Sequence, residues 1–375
     1  MASRDGDPFS ADTAWYPLSL EPSFRERVWG QQDLSFLYAS RPAHPLRVGE
    51  VWLTADDNRV TNGVWAGKTL GEICRLHGAG LLGRAAEPAD ISAFPLLVKF
   101  IFTADKLSVQ VHPTDRYARE KEGCAGKTEM WHVLKAEPGA RLAIGFREDI
   151  VGGRQPDAQT LREAADSGAI EAMLNWMDVR AGDTFFVPAA TVHAIGAGLI
   201  LCEIQQSSDL TYRLYDYNRP GADGRPRPLH LDKALDVLEW QSAGGRTAPI
   251  HLTDRQGRRL LLAACPYFAA EKLKLDKPAR YTLDGRFEIW IVLEGAAEVE
   301  VAGQRSSCQK GEVAVIPAGA QAFSVTPSSP CVCLRIYRPE LETDVIAPLR
   351  AQGCSDRELR SVCFSSRPLP SGGAA

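Results

Sequence analysis

Across residues 106–113 the apolar residues Leu107, Val109 and Val111 alternate with Ser108, Gln110 and His112, and the run ends at Pro113. Alternation with period two marks a half-buried strand, because successive side chains point to opposite faces. A proline lacks the amide proton that the ladder needs, so it ends the strand. Most of the chain reads this way, as short apolar or alternating runs split by Gly, Pro and Asp turns, which predicts a sandwich or barrel of β-strands. Helical spacing is confined to three places. Residues 69–77 form a short amphipathic pattern. Residues 157–173 set Leu161, Ala164, Ala165, Ile170 and Met173 at helical intervals for one or two helices, and residues 230–240 set Leu231, Ala234, Leu235 and Leu238 for another.

The strand pattern repeats. Gly-Asp-Thr-Phe-Phe-Val-Pro-Ala-Ala-Thr-Val-His, from Gly182 to His193, matches Gly-Glu-Val-Ala-Val-Ile-Pro-Ala-Gly-Ala-Gln-Ala, from Gly311 to Ala322, position for position. Glycine supplies a turn, the apolar run a strand, and proline the next turn, after which the following strand presents its first residue inward. Two copies of one motif predict two similar β-barrels, joined by the helix at 230–240 and the Gly-Gly at 244–245. The predicted division is an N-terminal domain over 1–245, a C-terminal one over 246–342, and an extension over 343–375 whose end, 365–375, reads as disordered. The copies differ in their last residue, His193 against Ala322, so only the first keeps a metal-binding side chain.

Composition narrows the function classes. The chain has 375 residues, enough for two or three buried cores, with 45% hydrophobic and 24% charged residues and a formal net charge of −4. No concentrated basic tract points to nucleic acid, and the longest apolar stretches, such as 94–102, fall far short of the ~20 residues of a membrane helix. The first residues have no apolar core of a secretory signal. Nine scattered cysteines without a Cys-x-x-Cys pair read as reduced thiols, with Cys331 and Cys333 on one strand face. A cytoplasmic, monomeric protein with no nucleic-acid or membrane partner is expected.

The spacing Gly-x5-Pro-x4-His resembles the second motif of cupins, double-stranded β-helix barrels that often hold a metal, although Ala190 stands where cupins usually place glycine. On that reading His193 points inward beside Gln110 and His112. In residues 126–132, Gly-Lys-Thr-Glu-Met-Trp-His, alternation puts Lys127, Glu129 and Trp131 on one face and His132 on the other. The ligand set becomes Gln110, His112, Glu129 and His193, an all-oxygen-and-nitrogen set that suits a catalytic zinc, and also iron or manganese.

Residues 94–99 (Phe-Pro-Leu-Leu-Val-Lys) with 105–113, the 126–131 motif, 186–196 and the run 203–219 together resemble the type I phosphomannose isomerases, in their shorter bacterial form. Weaker matches at Trp29-Gly30, 49–52 and Asn62-Gly63 extend the resemblance over roughly 25–340. It implies a fold that is mostly β, with two cupin-type double-stranded β-helix barrels and a few short inserted and linking helices. It also implies interconversion of mannose 6-phosphate and fructose 6-phosphate with one zinc ion, whose ligands fall on Gln110, His112, Glu129 and His193. Polar pocket residues fall on Lys99, Ser108, Lys127, Glu203 and Arg213, and Arg219 takes a place where longer members carry lysine.

That reaction moves a proton between C2 and C1 through an enediol. Glu203, expected to have a pKa raised by burial, is the first choice of base, Lys127 of ring opener or acid, and Arg213 of electrophile for the enediolate. Ser108, Lys99 and Arg219 are the substrate-binding candidates. Plain structural readings compete. Lys99 could snorkel to the strand edge, Glu203 could pair with Arg213 for structure alone, and Arg219 with the Arg225/Arg227 pair could be solvated loop charges. Two other functions fit the bare residues. His112, His193 and Glu129 make the two-His-one-carboxylate set of a non-haem iron oxygenase, against which stand Gln110 and the cationic pocket. A non-catalytic sugar-binding cupin would not need the intact ligand set.

Overall fold

The computed structural model describes residues 14–39, 45–84, 93–153, 155–221, 223–241, 244–252 and 258–365. The expected disorder of the tail falls almost wholly on 366–375, outside the described residues. The fold is mostly β, in four antiparallel sheets. The first has seven strands, in spatial order Gly245–Arg246, Thr184–Val187, Glu129–Ala136, Leu199–Gln206, Leu96–Thr103, Val48–Trp52 and Ser23–Gln31. A five-stranded sheet of Tyr212–Tyr215, Val109–Val111, His193–Ile195, Arg141–Phe146 and Leu174–Asp178 packs on its inner face. Trp131, Phe185, Leu201, Leu142 and Ile195 fill the space between the two.

The second half repeats the plan. Its seven-stranded sheet runs Leu18–Ser19, Val313–Ile316, Glu288–Glu294, Cys331–Tyr337, Ala269–Leu275, Arg258–Ala264 and Ile250–Leu252. Ala279–Thr282, Ala322–Pro327, Ala296–Val301 and Gln304–Gln309 form the sheet that faces it, with Trp290, Val299, Phe323 and Cys333 between. The end strands are exchanged. Leu18–Ser19 pairs with Val315 and Ala314 of the second half, and Gly245–Arg246 pairs with Phe186 and Phe185 of the first. The outer faces of the two large sheets then pack against each other through Phe100, Met130, Phe186 and Cys202 on one side and Phe268, Ile289, Val315 and Ile336 on the other. Both faces of each large sheet are therefore buried, which is why Leu96–Thr103 reads as an unbroken apolar run interrupted only by Lys99.

The sequence repeat is a structural repeat. Gly182 and Gly311 take φ of 92° and 85°, and the strands Thr184–Val187 and Val313–Ile316 follow them. His193 and Ala322 each open the next strand. Ala190 has φ of 68°, the left-handed conformation that glycine adopts most easily, which accounts for the glycine that cupins place there.

Helices appear where the apolar spacing puts them, with shifted ends. Thr69 caps Leu70–Leu82 in a capping box with Glu72, and this helix runs past residue 77 although His77 leaves the helical region. Asp157 caps Ala158–Ser167, Ile170–Met173 follows, and Leu231–Val237 is the one helix of the third pattern. Asp115–Lys121, Glu148–Val151, Ala347–Ala351 and Asp356–Arg360 are short helices that the apolar spacing does not mark. Beyond residue 340, Val345, Ile346, Leu349 and Leu359 pack on Leu261, Ala269 and Tyr337 of the second large sheet. Among the described residues no helix is long and apolar enough to cross a membrane. All nine cysteines are free, and Cys331 and Cys333 place their sulfurs 3.8 Å apart on one buried strand face.

Candidate active site and metal centre

The register of the small sheet of the first half assembles the ligands. His193 lies directly across from Gln110, and Glu129 reaches them from the facing large sheet. Glu129 Oε2 is 3.6 Å from His112 Nε2, and Glu129 Oε1 is 3.5 Å from His193 Nε2. Gln110 Nε2 lies 3.2 Å from His193 Nε2. The amide turned over would present Oε1 to the same point and leave Nε2 for the Ser108 hydroxyl, which now sits 2.9 Å from Oε1. The Nδ1 atoms of His112 and His193 sit 2.8 and 2.9 Å from the carbonyls of Leu210 and Thr191. Those contacts call for the Nδ1–H tautomer, which turns both Nε2 lone pairs to the centre.

The donors fit a cation. His112 Nε2 is buried without a hydrogen-bond partner, a costly state unless something else satisfies it, and Glu129 Oε2 has only the Lys127 ammonium, 3.0 Å away, to offset its charge. Burial pulls His112 far below the usual imidazole range and His193 down to about 4, so both are neutral and able to ligate near pH 7. Burial, then the charge of Glu203, pushes Glu129 up to about 7, as befits a carboxylate that lacks enough nearby positive charge. Trp131 packs its ring edge on His193 with centroids 5.5 Å apart. His132 faces the other way, with Nδ1 2.9 Å from the Thr184 hydroxyl.

From Glu129 a chain of alternating charge runs outward. Lys127 Nζ is 3.0 Å from Glu129 and 3.6 Å from Glu203. Lys99 Nζ is 3.1 Å from Glu203 and 2.9 Å from Glu50, and Arg27 is 2.5 Å from Glu50. Lys99 is thus buried and paired, and does not snorkel to the edge. Burial opposes its charge, but Glu203 and Glu50 outweigh that and hold its ammonium above the ordinary range. Glu203 departs from expectation. Burial raises its pKa, yet Lys99 and Lys127 together leave it below the ordinary carboxylate value. Its other oxygen accepts from the Trp131 indole at 3.1 Å, and its partners are the two lysines and not Arg213.

A cavity of about 280 Å³ opens onto this chain. Its walls bring together Lys99, Ser108, Gln110, Lys127, Glu203 and Arg213, all singled out by the sequence. Arg219 is not in its lining. Arg219 pairs instead with Asp216 at 2.8 Å and Asp105 at 3.2 Å. The walls also hold Arg27, Glu50, Asp209 and Arg227, which sequence reasoning missed as site residues. Glu50 has a signal in Gly49-Glu-Val-Trp52, used only to extend the family match, and Arg227 is no solvated loop charge, since it lines the cavity and is held by Asp216. A larger cavity, of about 560 Å³, lies at the junction of the two halves, but none of the metal-site residues lines it.

The second half holds a counterpart with inverted charge. Register equates Glu288 with Glu129 and Trp290 with Trp131, since Glu288 and Glu129 lie across from Ile316 and Val187. The same register equates Arg335 with Glu203 and Glu271 with Lys99. Arg335 grips both oxygens of Glu288, and Arg259 lies 2.8 Å from Glu271. Arginine beside Glu288 neutralises it directly, so this half needs no cation where the first half does.

The family model for the type I phosphomannose isomerase catalytic domain matches residues 18–132, and that for the mannose-6-phosphate isomerase cupin domain matches residues 260–336. The chain is 34% identical over 321 residues to mannose-6-phosphate isomerase ManA of Bacillus subtilis, covering 84% of this chain and 98% of that protein. It also resembles the crystal structure of the mannose 6-phosphate isomerase from Bacillus subtilis, with TM-score 0.75 and 28% identity over 85% of this chain and 99% of the other. A zinc-bound holo mannose 6-phosphate isomerase shares the fold, with TM-score 0.67 and 20% identity over 87% of this chain and 100% of the other. On sequence and on structure, the chain belongs to the type I phosphomannose isomerase family.

Proposed function

We propose that this chain interconverts mannose 6-phosphate and fructose 6-phosphate, with zinc held by Gln110, His112, Glu129 and His193. The observation that carries the proposal is the convergence of these four side chains, of which Gln110 also lines the cavity walled by Lys99, Lys127, Glu203 and Arg213. The fold relative described above has zinc bound, and the nitrogen and oxygen donors of this chain suit that ion. When bound, such an ion supplies positive charge to the sugar oxygens at C1 and C2.

The side chains of the cavity divide the remaining work. Glu203, kept anionic by Lys99 and Lys127, accepts the proton from C2 and returns it to C1, using Oε1, which takes no aligned hydrogen bond. Lys127 donates to the ring oxygen as the sugar opens. Arg213 keeps its charge through the cycle and faces the enediolate. Ser108 and Lys99 bind sugar hydroxyls. Arg219 acts one step back, by bracing Asp216.

Each facing pair of sheets is a cupin-type barrel on this reading, with the first domain ending near residue 245, the second near 342, and the segment beyond serving as packing. The shared repeat and register support that division. The two halves cover the outer faces of each other's large sheets, so the chain buries its own core, and we read it as a monomer in the cytoplasm. The oxygenase alternative leaves Gln110 and the charged chain without a task. A coupled assay with mannose 6-phosphate, with and without chelator, tests the proposal. Chelator-sensitive formation of fructose 6-phosphate is expected, and no turnover at saturating zinc would sink it.

A further inference from the structure

The isomerase reading leaves the substrate's phosphate without a partner. Five cations line the cavity, Arg27, Lys99, Lys127, Arg213 and Arg227, against three carboxylates, Glu50, Glu203 and Asp209. The excess of positive charge matches a phosphate monoester, which carries about −1.5 to −2 near pH 7. Arg27, Lys99 and Lys127 are committed to Glu50, Glu203 and Glu129 in the alternating chain. That leaves Arg213 and Arg227.

Arg227 is built into its place. Its Nε and Nη2 each donate to an oxygen of Asp216 at 2.6 Å, a side-on grip that fixes the plane of the guanidinium. Nη1 has no acceptor among the described residues and is left over for a ligand. The buried Asp216 also receives Arg219 at 2.8 Å, and Asp105 lies 3.2 Å from Arg219, so two carboxylates hold the two arginines in place. The loop that delivers Arg227 is itself pinned, by a bridge between Pro220 and Pro226 and by the Gly221 amide on the Arg225 carbonyl at 2.7 Å.

Arg213 stands on the same cavity wall with its Nε buried and without an acceptor. Burial, then the like charge of Arg227, pulls it below the ordinary guanidinium range. Asp216 and Asp209 offset part of the repulsion between the two guanidiniums, and an anion bound beside both would offset more of it. Arg213 lies across from Gln110 on paired strands, which puts it at the metal end. Arg227 arrives from the loop that follows.

We propose that Arg227, clamped on Asp216 and sharing a cavity wall with Arg213, binds the phosphate of the substrate, with Asp216 and Arg219 as its positioning residues. This deepens the isomerase reading and rests on it. Arg227→Ala is expected to raise the KM for mannose 6-phosphate about 10- to 100-fold with kcat within about threefold, the range for a lost charge-assisted hydrogen bond. Competitive inhibition by inorganic phosphate should weaken in parallel. Arg227→Lys keeps the charge but not the two-pronged geometry and should recover part of the affinity, and it carries the test if the alanine variant does not fold. Asp216→Asn should raise KM in the same direction by releasing the clamp. An unchanged KM and unchanged phosphate inhibition would overturn the assignment, as would a loss confined to kcat. Calorimetric binding of inorganic phosphate by the wild-type protein, lost in Arg227→Ala, would support the site even if the wild type failed to turn over mannose 6-phosphate, so the two readings fail separately.

Discussion

Glu129 and Glu288 occupy the same register position of two related sheets, each across from the last apolar residue of the repeat strand, Val187 and Ile316. Glu129 faces two imidazoles that present lone pairs, whereas Glu288 is gripped on both oxygens by Arg335. One backbone plan has met the same buried carboxylate in two ways, with a cation site and with an arginine.

The first prediction concerns the metal. The protein should bind about one zinc per chain, all of it in the first half. His193→Ala and Glu129→Ala should lose the metal and at least about 100-fold in activity while keeping the far-ultraviolet dichroism of the wild type. Metal analysis beside the coupled assay checks this. Full zinc content in His193→Ala would show that the ligands lie elsewhere.

The inverted site should behave as structure. Glu288→Ala strips a partner from Arg335, a buried guanidinium, and should cost about 3–5 kcal/mol of stability. Zinc content and the kinetic constants at a permissive temperature should stay at wild-type values. Denaturant unfolding and a metal assay read both, and loss of zinc from this variant would contradict the separation of the two halves.

Proton transfer should depend on Glu203. Glu203→Gln keeps the size of the side chain and its contact with Trp131 but removes the base, and kcat should fall about 10²- to 10⁴-fold with metal intact. Lys127→Ala should also lower kcat, with a smaller effect on a ring-opened substrate analogue than on the cyclic sugar. A Glu203→Gln enzyme with near-normal turnover would move the proton transfer to another residue.

Acid should weaken the fold through His132, which is not a metal ligand. Burial, then the charge of Lys272, pulls its pKa from 6.5 down to about 3. Because the folded value is the lower one, the unfolded chain takes up the proton first. The stability is intact above about pH 6.5 and declines as pH falls toward 3, by about 1.4 kcal/mol per pH unit from this residue. Urea midpoints across that range should fall more steeply for the wild type than for His132→Gln. Parallel curves would show that the imidazole is free to charge in the folded protein.

The ligand set was legible because it is local. Gln110 and His112 share a strand face by simple alternation, Lys127 and Glu129 do the same, and alternation also turns His132 away from them. The repeat was legible because a positive-φ glycine and a proline punctuate both copies at one spacing. The helix at 70–82 outran its sequence signal because packing, more than intrinsic preference, carries it through Gly78 and Gly80. The space over Gly80 is taken by Trp15, only 2.4 Å from where a Cβ would stand.

By itself, then, the sequence determined the β-rich architecture, the strand faces that carry Gln110, His112, Glu129 and His193, the alanine that stands for histidine in the second repeat, and the family. Tertiary structure alone decided which charges meet. Glu50 reaches Lys99 across 49 residues and Arg227 settles on Asp216 at the cavity wall, while Arg219, the more obvious candidate, turns away to Asp105 and Asp216. The reason is physical. A side chain's face follows from its own strand, but its partner follows from strand register and loop path, and the pKa of Glu203 from both. Burial alone would have raised that pKa, and two lysines, one inside the strand Leu96–Thr103 and one just before Glu129–Ala136, lower it.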